Sequence, residues 1–410
     1  MPRLDGPRAD SPGPLNPRGA DKTPVLAFGR TINTLSVLRI FERQGIRAIV
    51  LPYEKNDFLV SSRWYRTIPT LPEHSPRPSE LAEFLRSLHL GRAVLMPCGD
   101  DWAMAIAALD PALRERFPAP VAGPDAVGVL LDKARFAEVL ERLKIPHPRT
   151  TRIDSVEDLQ GLPDEHFVNA FFKPRDSWTF RHLTGKKAIP IRGRAEAIAQ
   201  FHELRKTGVG LLLQEFIPGP AGVHHYIEGF VDRHGRFCGV FARRRMRIYP
   251  PAFGASTYTV SIPLREVAGQ KENLERLFDA IKYRGIFSAE FKFDERDGLF
   301  KIIEVNARPW WYVGFAYRCG VNVLRMAYDD ALGLSPQPVM DYSLDQGCIY
   351  AYYDWRTIVP SLRDRQLTMR SWLRSWVRSS ELTFEWDDPA PAIRLFIALA
   401  REEAHRRLRR

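Results

Sequence analysis

Two acids and an amide in the second half of the chain have the types and spacing of a hard-metal site. In residues 287–308, FSAEFKFDERDGLFKIIEVNAR, apolar and polar residues alternate on both sides of Asp297-Gly298. Period-two alternation puts Glu304 and Asn306 on one face of one strand and Glu290 on the strand before it. A two-residue loop at Asp297-Gly298 would set Glu290 opposite Val305 and turn the two glutamates apart. A three-residue loop, Arg296-Asp297-Gly298, sets Glu290 opposite Glu304, with Gly298 supplying the positive φ that such loops want. The spacing therefore predicts that Glu290, Glu304 and Asn306 converge. Two carboxylates and an amide oxygen on rigid strands suit Mg2+, or Mn2+, and leave places for water and phosphate oxygens. By spacing alone, an ordinary sheet face bearing surface acids reads the same way.

Groups suited to anions lie upstream. Lys173 closes the apolar run of FFKP and is held at its end by Pro174. Arg243, Arg245 and Arg247 share one face if their strand continues, and three adjacent cations repel unless an anion lies between them. Phosphate or carboxylate is the natural guest, since arginine binds both in bidentate fashion; the alternative is a solvated basic edge strand. In LLLQEFIPG, the passage through Gln214, Glu215, Phe216 and Ile217 offers backbone donors and acceptors to a planar base. Arg30, Thr31, Asp100 and Asp101 follow early strands, where open α/β sheets bind ligands, although Asp also caps helices well.

These residues need a large scaffold. A chain of 410 residues exceeds one compact core and predicts two to four domains. With 45% hydrophobic and 27% charged residues it has a globular composition. No apolar run approaches the roughly 18 residues of a membrane-spanning helix. The Pro- and Arg-rich residues 1–23 have no apolar centre and are expected to be a disordered tail, not a secretory signal. Cys98, Cys238, Cys319 and Cys348 show no metal or redox spacing, which suits a reducing, cytoplasmic setting. The net charge of +11 permits anionic partners, but no zinc-ligand or RNA-binding signature accompanies it, so nucleic acid is not the expected partner.

Alternating strands and helices from residue 24 predict a parallel sheet. A single glycine, Gly29, marks its first turn, which excludes a dinucleotide fingerprint. A long helix is expected over 126–143, with Asp125 as its N-cap and Lys133 on it. A small α/β layer follows to residue 216, and then strands over 224–231 and from 237 through the arginines. A helix over 317–332, an aromatic strand over 348–355 and amphipathic helices over 367–378 and 391–410 complete the chain. The helix bearing Trp372 and Trp376 beside Arg370, Arg374 and Arg378 suits packing on its own domain or a membrane surface.

The order FFKP, QEFIPG, AEFK and IIEVNARPWW, over roughly residues 24–335, resembles the ATP-grasp superfamily, and within it the predicted carboxylate–amine ligases that include D-aspartate ligase-like enzymes. The resemblance implies a multidomain α/β and α+β protein: a Rossmann-like pre-ATP-grasp domain (24–125), a linking helix and lid (126–212), a catalytic antiparallel sheet (213–335) and a C-terminal helical extension (336–410). It implies that Glu290, Glu304 and Asn306 bind metal and that Lys133 and Lys173 reach the nucleotide phosphates. Gln214, Glu215, Phe216 and Ile217 would form the adenine hinge. Arg245, Arg247 and Arg308 would support the transferred phosphoryl group and an acyl phosphate. Two departures stand out. The segment after Lys173 has no glycine until Gly185, and Glu228 is the nearest acid after the hinge for the ribose.

The activity so implied is ATP- and Mg2+-dependent ligation of a small carboxylate to a small amine through an acyl phosphate, in an enzyme of a kind that often dimerises. A phosphotransferase on the same scaffold, or a non-catalytic nucleotide-binding scaffold, are the alternative readings.

Overall fold

The computed structural model describes residues 23–51, 57–67, 77–174, 188–206, 208, 210–251, 254–363 and 367–408. The expected tail, and the polar loop at 175–187, fall outside them.

Three sheets carry the chain. The first is parallel: β1 (Val25–Phe28) lies between β2 (Ala48–Val50) and β3 (Val94–Pro97). All three are short apolar runs buried along their whole length, the pattern of a sheet covered on both faces. At the first turn Gly29 has a φ of +148°, and a Cβ there would meet Cys98 Cβ at 2.8 Å. Only glycine lets the ends of β1 and β3 approach in this way.

The second sheet is antiparallel, in the order β4 (Thr150–Ile153), β7 (Leu211–Glu215), β5 (Ala170–Pro174), β6 (Ile189–Ile191). Helices Val156–Gly161 and Arg194–Arg205 pack with it around Leu159, Phe172, Phe201 and Leu213. This core is separate from the two cores of the rest of the molecule.

The third sheet has seven strands, in the order β12 (Leu299–Asn306), β11 (Gly285–Asp294), β8 (His224–Val231), β9 (Phe237–Tyr249), β10 (Ala255–Ser261), β13 (Gly347–Ile349), β14 (Ser379–Glu381). Its pairings are antiparallel except β13 with β14. Phe287, Ala289 and Phe291 lie on the face that packs with Leu274, Leu277 and Phe278 of helix Ala268–Ala280. Ile286, Phe230 and Phe241 lie on the other face and join the core beneath β1. The strands β13 and β14 come from beyond residue 335, so the C-terminal segment extends this sheet instead of standing apart from it.

Four local expectations are corrected. The 126–143 helix is two helices, Pro124–Leu131 and Lys133–Arg142, broken at Asp132 with φ −82° and ψ 105°. Gly123, not Asp125, is the N-cap of the first, and Asp132 caps the second by accepting from the backbone N–H groups of Ala134 and Arg135. The 317–332 helix is likewise two, Val313–Arg318 and Val323–Ala331, parted at Gly320 with φ +108°. After β13 the aromatic run turns into helix Ala351–Asp354, where the Tyr350 and Tyr352 rings each meet Tyr353 edge-to-face. Finally, the turn of the β11–β12 hairpin spans four residues, since Asp294 pairs with Leu299.

Candidate active site

The hairpin reaches the expected convergence by another route. Near the turn, Phe291 pairs with Ile302 and Lys292 with Lys301; one step further the register shifts, and Glu290 lies opposite Glu304 and Ser288 opposite Asn306. Ile303 is the extra residue, a β-bulge that re-aims the strand beyond it. Gly298 has the expected positive φ, +73°, and donates its N–H to Asp294 O.

Glu290 is held by two neighbours that sequence reading did not single out as its partners. Its Oε1 lies 2.6 Å from His224 Nδ1 and 3.2 Å from an Arg245 terminal nitrogen. Burial opposes ionisation of Glu290, but Arg245 and the imidazole hydrogen bond outweigh it, and the carboxyl is held well below the usual range. Burial holds the His224 imidazole below its ordinary value, and its Nδ1 sits between the Glu290 carboxylate and an Arg245 terminal nitrogen at 3.1 Å. The signal for His224 was strand parity: opposite Lys292 on β8, it shares a face with Tyr226, Glu228 and Glu290.

The three arginines of β9 lie on one face, buried and paired. Arg243 donates from Nε and a terminal nitrogen to the Glu228 carboxylate at 2.7–3.0 Å, and its guanidinium lies over the rings of Tyr226 and Tyr312. Arg245 also donates to Ser256 Oγ and to the Tyr226 hydroxyl. Arg247 is bound on both sides by Asp354, at 2.8 Å each, and donates to Ser375. Asp354 also accepts from Thr257, Trp372 and Trp376. A solvated edge strand is therefore excluded, and of the three only Arg245 is seen touching an expected metal ligand. The ribose role expected of Glu228 is corrected here. Its side chain is fully buried within the sheet, and Arg243 and Ser288 occupy its oxygens.

Arg308 anchors the far end of β12. It forms an ion pair with Asp100 at 2.9 Å and donates to Asn306 Oδ1 at 3.1 Å. Asp100 opens the helix after β3, so this pair joins the parallel sheet to the end of β12. Asn33 does the same from the first helix, donating to Cys98 O and Pro309 O.

A cleft of about 710 Å³ brings Glu304 and Asn306 together with Lys133, Lys173 and Gln214. Asp132 sets Lys133 at the first position of its helix. Lys173, at the end of β5, lies 3.4 Å from Gln214 Oε1. Glu215 turns away to bind Arg296 at 2.6 Å, tying the hinge to the hairpin turn. The Phe216 ring lies over Lys292, its N–H donates to Asn169 O, and Ile217 is buried.

Two carboxylates facing across a strand pair, one of them held ionised, and an amide oxygen two residues on are the donor types that a hard divalent cation takes. Among the described residues no three His, Cys, Asp or Glu side chains gather as a metal site, so this set works only with its amide and with oxygens from a substrate or water.

No family model matches the sequence. A D-aspartate ligase of Enterococcus faecium (strain Aus0004) is 24% identical over 262 residues, which are 62% of this chain and 62% of that protein's length. The biotin carboxylase of Campylobacter jejuni, solved as a β,γ-ATP complex, superposes with a TM-score of 0.61 at 15% identity, over 79% of this chain and 74% of its own. N5-carboxyaminoimidazole synthetase of Staphylococcus aureus, complexed with ADP, gives 0.58 at 13% identity, over 78% and 80%. An L-amino acid ligase of Bacillus licheniformis gives 0.56 at 14%, over 77% and 78%.

Proposed function

Because the fold shared with these structures is the ATP-grasp fold, we propose that the chain is an ATP- and Mg2+-dependent ligase that joins a small carboxylate to a small amine. One observation carries the reading: Glu290, Glu304 and Asn306 share a face with Arg245 and Arg308, and the cleft lined by Glu304 and Asn306 is lined also by Lys133 and Lys173. The similar proteins, a D-aspartate ligase and an L-amino acid ligase among them, support an amino acid as one substrate.

A carboxylate is a poor electrophile until one oxygen is made a leaving group. In the proposed reaction that oxygen attacks the γ-phosphorus of ATP and ADP departs. The amine then adds to the acyl carbon, phosphate leaves, and the nitrogen loses a proton. The protein's part is mostly position and charge. Glu290, Glu304 and Asn306 would hold Mg2+, which when bound neutralises phosphate charge. Lys133 and Lys173 draw charge from the nucleotide, and the hinge from Gln214 to Ile217 receives the base. Arg245 and Arg308 face the oxygens of the transferred group. Arg247, clamped by Asp354, acts by holding β9 against Thr257 of β10. The sheet of β4 to β7, with its own core, would act as a lid that keeps water from the acyl phosphate.

Among the described residues no helix is long and apolar enough to cross a membrane, and the four cysteines are free and buried. Free buried thiols suit a reducing compartment, so we propose a cytoplasmic enzyme, and a homodimer such as the similar biotin carboxylase domain of Hydrogenobacter thermophilus forms. The test is a screen for ADP release over pools of amino acids and small carboxylates, with mass spectrometry of the product. An amide and free phosphate are expected. A phosphorylated product without free phosphate would instead mark a phosphotransferase, and nucleotide binding without turnover would refute both.

A further inference from the structure

Helix Met369–Val377 has two apolar stripes, and its own protein satisfies one of them. On the inner side Trp372 and Trp376 donate their indole N–H groups to Asp354 Oδ2 at 3.1 and 2.7 Å, and Ser375 accepts from Arg247. On the outer side Met369, Leu373 and Val377, spaced by four, are 48%, 50% and 86% exposed. Arg370, Arg374 and Arg378 follow them by one position each and are exposed too. The helix contains no acid. The last helix, Ala390–Leu408, repeats the pattern, with Ile393, Phe396 and Ile397 exposed by 45–53% and Arg394 and Arg401 on the same helix. Packing on its own domain, one of the two roles open to this segment from its sequence, accounts for the tryptophans and leaves the outer stripe unused.

We propose that the outer face of helix Met369–Val377 docks on an anionic lipid bilayer surface. A short row of apolar side chains beside a row of arginines is the arrangement of an interfacial helix. The apolar row enters the boundary of the acyl chains, and the guanidinium groups meet lipid phosphates. The long arginine side chains let the charge stay at headgroup level while the stems cover apolar surface. The net charge of +11 adds long-range attraction to such a surface. A second copy of the chain fits less well. A two-fold contact through this stripe would bring each arginine row toward its own image, setting like charges side by side. The proposal is independent of the ligase reading.

The experiment is co-sedimentation of the full chain with phosphatidylcholine vesicles, with and without phosphatidylglycerol. Binding is expected only to the anionic vesicles and should weaken as salt rises. The pair Leu373→Asp and Val377→Asp should lower partitioning about tenfold or more. The pair Arg370→Gln and Arg374→Gln should lower it too and flatten the salt dependence. All four positions are exposed, so thermal midpoints should not move, which separates lost docking from lost folding. Three results would overturn the proposal. The chain could fail to bind the anionic vesicles, or the aspartate pair could bind them as well as the unaltered chain. The aspartate pair could also convert a dimer to a monomer in sedimentation velocity, which would give the face to a second copy. Heparin is the control for simple polyanion binding: the aspartate pair should keep it, and parallel loss of heparin and vesicle binding in that pair also counts against a lipid surface.

Discussion

Glu290 faces Glu304 across β11 and β12 because Ile303 is inserted between them and the turn. Were the register near the turn to continue without the bulge, Glu290 would lie opposite Ile303, and Glu304 and Asn306 would fall out of step with it. The bulge, not the turn, is therefore what makes the acids a pair. Glu304→Gln should cut substrate-dependent ADP release by at least about a hundredfold while leaving the circular dichroism spectrum and melting temperature near those of the unaltered chain. Unchanged turnover would remove Glu304 from the metal site.

Asp132 breaks a helix and starts another, and this places Lys133 at the cleft. Asp132→Ala removes a side chain that accepts from two backbone N–H groups and should cost about 1 kcal/mol. It should also raise KM for ATP with little change in kcat, since Lys133 would hold its position less well. Steady-state kinetics beside urea unfolding checks both. A normal KM with the stability loss would leave Asp132 a cap and nothing more.

Arg39 is 2% exposed and binds Asp388 through Nε at 3.0 Å, with two further bonds to the carbonyls of Thr383 and Asp388. Asp388 also accepts from Ser62 Oγ and Arg63 N–H. Arg39→Met strands a buried carboxylate and should cost about 3 kcal/mol. Adding Asp388→Asn should recover part of that loss. Guanidinium unfolding of the two singles and the double gives the coupling, and simple additivity would show that the pair does not act as one.

Burial against Phe300, helped by Arg244, holds His225 down to about 4 from its ordinary 6.5. Between those values the unfolded chain binds the proton and the folded chain does not. The contribution is therefore complete above about 6.5 and is lost as pH falls toward 4, amounting to at most about 3 kcal/mol. His225→Phe should flatten the fall in unfolding midpoint between neutral pH and about pH 5. An equal fall in the variant would assign the loss to other groups.

Local pattern carried much of this molecule. The alternation around Glu290 and Glu304, the positive φ at Gly298 and the shared face of Arg243, Arg245 and Arg247 are short-range properties, and they read directly from period two. The bulge does not, because an inserted residue leaves apolar Ile302 and Ile303 side by side with no mark of which one is extra. The break at Asp132 had a signal: an acid fit for an N-cap inside a helical run. Asp354 had none. Its partners Arg247 and Thr257 lie 107 and 97 positions away, and nothing beside it in sequence tells that four side chains converge on it. Glu228 keeps the face of Glu290, as period two requires, but nothing in its own stretch of sequence shows that Arg243 and Ser288 occupy its oxygens there.

Arg39 and Asp388 are 349 positions apart, and this has a consequence for the order of synthesis. The arginine emerges 349 residues before the aspartate. A growing chain must carry the parallel sheet with a cation destined for burial still wet, and β13 with an open edge, until residues 379–388 are made. Chains cut short before β14 would keep both defects and present a free strand edge for intermolecular pairing. Soluble yield should therefore rise sharply, not gradually, as nested C-terminal truncations are lengthened past Asp388.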